Sequence, residues 1–284
     1  VSLPHPLEQV IKKRQEKGMG KSVHKRKREP MLGYEMLGAG TEAVVMLHDW
    51  FCDTTSYEII KPYLCPEFTY YFVDVRGYGK SKDIQGRFSV EEIYTDLMAL
   101  MDHLGVKRFH LVTHSMTGLV AQYAAVMAPE RLLSLVAVTP TPACGSSGML
   151  ENMAFFEGAT QRDQVAARQI VSFMTGGRYQ GQFLDYKVAR WWQSSLASAR
   201  LGYLHMFVKT DFSQKVAGCK TPLLVITGQS DVQGHCLQDM KNTIGTWFEK
   251  ASFVDLPGSG HYPMQEVPPL FADTLESYHK THKA

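Results

Sequence analysis

The spacing of apolar and polar positions changes character after Pro30. From there to about residue 140, short apolar runs alternate with stretches in which apolar residues recur every three or four positions. Met31–Leu37, Ala43–Leu47, Phe68–Val75, Phe109–Thr113 and Leu132–Thr139 are the apolar runs, rich in β-branched, aliphatic and aromatic side chains, and they predict strands. Ile93, Leu97, Leu100, Met101 and Leu104 fall at helical spacing, which predicts a helix over Val90–Leu104 ending at Gly105. Thr117–Ala128 reads as a second helix, lined with small residues and stopped by Pro129. Leu223–Thr227 and Ala251–Leu256 add two strands, and Pro268–His279 a last helix. Alternation of this kind predicts an α/β fold, a mostly parallel sheet with helices on both faces.

Between Thr141 and Cys219 the alternation stops. The stretch holds Phe155, Phe156, Phe173, Trp191, Trp192 and Phe207 but no run of buried-strand texture. A structureless loop of that length does not suit a compact domain, so a helical insertion is expected. The predicted organisation is a basic N-terminal arm over 1–30, a core over 31–140 and 220–284, and a helical cap over 141–219.

Composition narrows the classes. With 284 residues, 44% hydrophobic and 20% charged, the chain suits one large domain with an insertion and excludes a disordered, collagen-like or coiled-coil protein. No run approaches the roughly 18 apolar residues of a membrane span, and no apolar stretch follows the basic start as in a secretory signal. Five cysteines, scattered and without a C-x-x-C pair, read as free thiols of a cytoplasmic protein. The first 30 residues carry nine Lys and Arg against three Glu, so the remaining chain is net acidic although the whole is +2. That balance argues against nucleic-acid binding; the Lys25–Arg28 cluster reads as a solvated arm, with an address signal or a weak polyanion contact as the alternatives. Gly18–Ser22 and Gly77–Ser81 each spell Gly-x-Gly-Lys-Ser, but the earlier glycine of a phosphate loop is replaced by Gln15 and Asp74. His279-Lys280-Thr281-His282 lies in a tail and is not read as a metal pair. No metal or organic cofactor is expected.

The sharpest chemical feature is Val112-Thr113-His114-Ser115-Met116-Thr117-Gly118, placed where a strand stops and a helix begins. A serine on such a turn projects its hydroxyl clear of the sheet, next to the helix N-terminus. A serine hydroxyl needs an adjacent base, and an aspartate and a histidine each follow later strands. In this order the chain resembles the alpha/beta-hydrolases from about residue 31 to 279. Leu47-His48-Asp49-Trp50-Phe51 is similar to their oxyanion loop, and Asp74–Ser81 to their Asp-x-Arg-Gly-x-Gly-x-Ser turn. Thr113–Thr117 is similar to the nucleophile elbow, and Gly228–Asp231 and Gly258–Pro263 to the loops carrying acid and histidine.

The resemblance implies Ser115 as nucleophile, His261 as base and Asp231 as its acid partner, with the backbone N–H groups of Trp50 and Met116 as oxyanion donors. His48 is expected to fix the oxyanion loop, and His48, Phe51, Trp191 and Trp192 are candidates for the substrate pocket. His114 is expected to pack inside the elbow. Asp49, Cys52, Thr113 and Thr117 stand where the family usually has glycine. Thr113 and Thr117 are expected to crowd the elbow, and the Asp49 carboxylate to repel an oxyanion unless it is protonated or turned away. The resulting expectation is a serine hydrolase of a small-molecule ester, thioester or lactone, an esterase or lactonase. Two other readings are a cofactor-free dioxygenase of the same fold and a ligand-binding protein with weak turnover. The dioxygenases of this fold carry an acid after the strand that follows the elbow; here that position is Thr139, which favours hydrolysis.

Overall fold

The computed structural model describes residues 31–283; the basic arm expected over 1–30 lies outside the described residues. One sheet holds β1 (Tyr34–Leu37), β2 (Glu42–Leu47), β3 (Phe68–Val73), β4 (Phe109–His114), β5 (Leu132–Val138), β6 (Leu223–Gly228) and β7 (Ala251–Leu256). Their spatial order is β1-β3-β2-β4-β5-β6-β7. β1 is antiparallel to β3, and every other pairing is parallel. β4, β5 and β6 are buried along their whole length, which is why their sequences are continuous apolar runs rather than alternating ones.

α1 (Val90–His103) starts where the Ser89 hydroxyl accepts from the Glu92 N–H, with Glu91 and Glu92 in the first turn. It buries Ile93, Leu97, Leu100 and Met101. α2 (Gly118–Met127) follows the elbow and is buried on nearly every side, as its Gly and Ala content allows. A Cβ on Gly118 would meet the Pro140 Cβ at 2.5 Å, so this turn needs glycine for close approach. The helix predicted from Thr117 begins one residue later, because Ser115–Thr117 form a separate 3₁₀ turn.

The Asp74–Ser81 motif is an anchored turn. Asp74 accepts from the N–H groups of Thr54 and Lys80 at 2.9 and 2.8 Å, and the Ser81 hydroxyl donates to the Asp74 carbonyl at 2.7 Å. Arg76 grips Asp96 of α1 with two hydrogen bonds of 2.6 and 2.7 Å, tying the turn to the helix layer. β3 stops at Val73, two residues before its predicted end, because Asp74 already belongs to this turn.

Between β5 and β6 lie a 3₁₀ segment (Ser147–Asn152), then α3 (Met153–Thr160), α4 (Gln164–Met174), α5 (Gln182–Ser194), α6 (Ala197–Lys209) and α7 (Ser213–Val216). After β6 come α8 (Leu237–Asn242) and α9 (Ile244–Trp247). After β7 come α10 (Pro263–Glu266) and α11 (Pro268–Lys280). α8, α9, α10 and the long 3₁₀ segment Thr54–Tyr63 are additions to the elements predicted from sequence. No helix among the described residues is long and apolar enough to cross a membrane.

Candidate active site

The loops that follow β2, β4, β6 and β7 leave the same C-terminal edge of the sheet, where open α/β sheets place their ligand sites. Leu47 pairs with Thr113, so the His48–Cys52 loop starts beside the elbow. Ser115 takes φ +53°, a left-handed conformation costly for a side-chain residue, and it holds the hydroxyl out from the β4–α2 junction. The serine is 8% exposed, open to the cavity above it, whereas His261 is 1% exposed.

Ser115, His261 and Asp231 are brought together. His261 Nε2 lies 2.9 Å from Ser115 Oγ, and His261 Nδ1 lies 2.9 and 3.1 Å from the two Asp231 oxygens. An ionised carboxylate only accepts, so Nδ1 carries the proton and Nε2 is left to accept from the serine. Burial lowers the His261 pKa and keeps the ring neutral. Burial pushes the Asp231 carboxyl up, opposed by the nearby His235 and by the Val232 N–H, which donates to it at 2.8 Å. The backbone of His261 is clamped on both sides. Its N–H donates to the Met174 carbonyl at 3.0 Å, and its carbonyl accepts from His114 Nε2 at 2.7 Å and Thr139 Oγ1 at 3.1 Å.

The two threonines at the usual glycine positions are accommodated rather than expelled. Thr117 Oγ1 accepts the His114 N–H at 3.0 Å and donates to the His48 carbonyl at 3.1 Å, so its hydroxyl ties the elbow to the loop that follows β2. Thr113 Oγ1 turns along the sheet toward the Val136 carbonyl at 3.4 Å.

A cavity of about 1050 Å³ opens above Ser115 and His261. Phe51 lines it; three other pocket candidates stand behind its wall. His48 is fully buried, accepting the Val75 N–H on Nε2 at 3.1 Å and donating from Nδ1 to the Asp49 carbonyl at 2.7 Å. Trp191 is fully buried with its ring stacked on Phe51 at 4.0 Å and its N–H 3.3 Å from the Tyr78 hydroxyl. Trp192, one position and about 100° further round α5, donates instead to the Ala159 carbonyl of α3 at 3.2 Å. None of these three side chains lines the cavity: His48 and Trp191 are buried beneath it, and Trp192 turns to α3. Trp50 does line the cavity, its indole N–H donating to the Arg200 carbonyl at 2.7 Å and its carbonyl accepting from Tyr78 at 2.8 Å.

Two further residues, His235 and Lys187, were not singled out from the sequence. His235 lines the cavity with its ring edge-on to His261 at 4.8 Å, and its Nδ1 donates toward the Thr139 and Pro140 carbonyls. Its signal was its place four residues after Asp231. Lys187 of α5 is fully buried, 3.7 Å from the Tyr262 ring centroid and 3.1 Å from Gln265 Oε1. Its spacing of four from Trp191 placed it on the same helix face. Asp49 lines the cavity and is 2% exposed; one oxygen accepts the Phe51 N–H at 3.1 Å and the other has no partner. Burial raises its pKa, but the Lys187 ammonium is the leading opposing charge, and the carboxyl stands below its ordinary value.

Fold and edge geometry define an open α/β sheet with serine, histidine and aspartate joined at its C-terminal edge. The Alpha/beta hydrolase family pattern matches residues 44–274, and the chain belongs to that family. It is 24% identical over 257 residues to the pimeloyl-(acyl-carrier protein) methyl ester esterase of Yersinia enterocolitica, covering 87% of this chain and 96% of that one. A 36% identity over 83 residues, 29% of this chain and 31% of the relative, links it to the 2-heptyl-3-hydroxy-4-quinolone dioxygenase AqdC2 of Rhodococcus erythropolis. It is 32% identical over 102 residues, 36% of its length, to the dihydrolipoyllysine-residue acetyltransferase component of the acetoin cleaving system of Pseudomonas putida, but spans only 28% of that relative. The enol-lactonase of Burkholderia xenovorans LB400 shares the fold with a TM-score of 0.75 at 18% identity, over 88% of this chain and 96% of that one.

Proposed function

We propose that the protein is a serine hydrolase that cleaves a small-molecule carboxylic ester, thioester or lactone through an acyl-enzyme. The observation that carries this reading is the unbroken chain of contacts from Ser115 Oγ through the His261 ring to Asp231. Ser115 Oγ attacks the substrate carbonyl while its proton passes to His261 Nε2. Asp231 holds the ring and stabilises the imidazolium. The Trp50 and Met116 backbone N–H groups are assigned to the oxyanion, a contribution worth roughly 100- to 1000-fold for one donor. Collapse breaks the bond to the leaving group, which takes the proton from His261. Water then repeats the sequence on the acyl-serine and releases the acid. Helices α3–α7 are assigned as a cap over the cavity, since Phe155, Phe156 and Phe173 of α3 and α4 line it.

The test is intact mass after reaction with a fluorophosphonate, with peptide mapping. One adduct on Ser115, absent from Ser115→Ala and His261→Ala, is expected. Folded protein that stays unlabelled would overturn the mechanism. The local match to a dioxygenase favours a second reading, cofactor-free oxygen chemistry. Thr139 offers a hydroxyl, spent on the His261 carbonyl, where that reading wants a carboxylate. Oxygen consumption without labelling would select it.

A further inference from the structure

The cavity wall carries an electrostatic bias. Its apolar part is built from Trp50, Phe51, Phe156, Ile170, Phe173 and Phe207. Its carboxylates are Asp49 and Asp239, and no lysine or arginine lines it among the described residues. Asp239 accepts from the Gly234 N–H at 2.7 Å and the Cys236 thiol at 2.9 Å, neither of them a cation.

Asp49 is the more telling of the two. His114 Nε2 faces the His261 carbonyl at 2.7 Å, and a carbonyl only accepts, so in the neutral ring Nδ1 carries no proton. That bare Nδ1 stands 3.7 Å from Asp49 Oδ1, and both atoms are buried without a partner. The neutral imidazole therefore leaves the negative charge of Asp49 unmet on this side. Lys187 is the cation that offsets it, and the ammonium is itself held by Gln265 and the Tyr262 ring, outside the cavity lining. An anionic group entering here would shed its hydration, find no cation to replace it and meet a fixed anion beside the nucleophile.

We infer that the substrate's acyl portion is uncharged and apolar, and that Asp49 is the specificity residue that rejects acyl groups carrying an anion. The volume admits a medium alkyl chain or an aromatic ring rather than only an acetyl group. This inference rests on the serine-hydrolase reading above.

The experiment compares dimethyl adipate with monomethyl adipate as substrates at pH 8, using the full chain and its Asp49→Asn variant. For the wild type, kcat/KM is expected to favour the neutral diester by roughly 30-fold, with the gap narrowing about tenfold in Asp49→Asn. Asparagine keeps an oxygen for the Phe51 N–H while losing the charge. Equal rates on the two esters would overturn the inference, and an undiminished gap in Asp49→Asn would overturn the part given to Asp49. If Asp49→Asn does not fold, inhibition of the wild type decides: hexanol should inhibit at concentrations about tenfold below hexanoate, and equal inhibition counts against the inference. Fluorophosphonate labelling of Ser115 in the same samples separates the two failures. Labelling without charge selectivity defeats only this inference; a folded but unlabelled enzyme defeats the hydrolase reading and this inference with it.

Discussion

Asp231 serves the proposed chemistry only as an acceptor. Its two oxygens face the proton on His261 Nδ1, and the Val232 N–H takes part of the same carboxylate. Asp231→Asn keeps the shape but turns an amide N–H toward Nδ1. The imidazole answers by placing its own proton on Nε2, facing Ser115, where it can no longer accept the hydroxyl proton. We expect kcat to fall by roughly 10⁴-fold with the far-ultraviolet circular dichroism unchanged. A loss below about tenfold would mean that the base does not depend on this tautomer.

The elements explain what was readable in the sequence and what was not. The strands were legible as short apolar runs, continuous in β4, β5 and β6 because these are buried on both faces, whereas the edge strands β1 and β7 are partly exposed. The elbow and the two later loops were legible because Ser115, Asp231 and His261 sit just past strand ends, at positions that sequence order preserves. The pocket wall was not. On α5 the sequence shows two adjacent tryptophans, and only the helix phase tells that Trp191 turns under Phe51 while Trp192 turns to α3. The short helices α8, α9 and α10 were missed because four to six residues give too little periodicity to read. The packing also yields an expectation. Trp191 packs against both Trp50 and Phe51 of the loop that follows β2. Trp191→Ala should cost about 3–5 kcal/mol in urea unfolding and lower kcat as the loop loses its support. Unchanged stability would show that the loop is held by its own hydrogen bonds.

At the scale of the whole molecule, the buried histidines set the response to acid. His110, His114, His235, His261 and His279 are all shifted down by burial, to about 4 for His235 and about 3 for His114 and His261. Unfolded, each titrates near 6.5. Below that pH the unfolded chain binds more protons than the folded one, so stability is full above about pH 6.5 and falls as the pH drops, by about 1.4 kcal/mol per unit for each such group. Glu35, held down to about 2 by Lys61 and Lys80, adds a further loss below about pH 4.5. Asp231 and Glu266, raised by burial, act in the opposite sense, but they are two groups against five. His279 isolates the effect, because it does not line the cavity and packs against His110 and Phe68, with both ring nitrogens unpartnered. His279→Phe removes a group that must be charged to unfold in acid and asks for no hydrogen bond in return. Relative to wild type, it should recover about 2 kcal/mol of the stability lost between pH 8 and pH 5, measured by urea unfolding with the m-value unchanged. Equal losses in the two proteins would mean that His279 is protonated in the folded state, and the acid response would have to come from the histidines around the elbow.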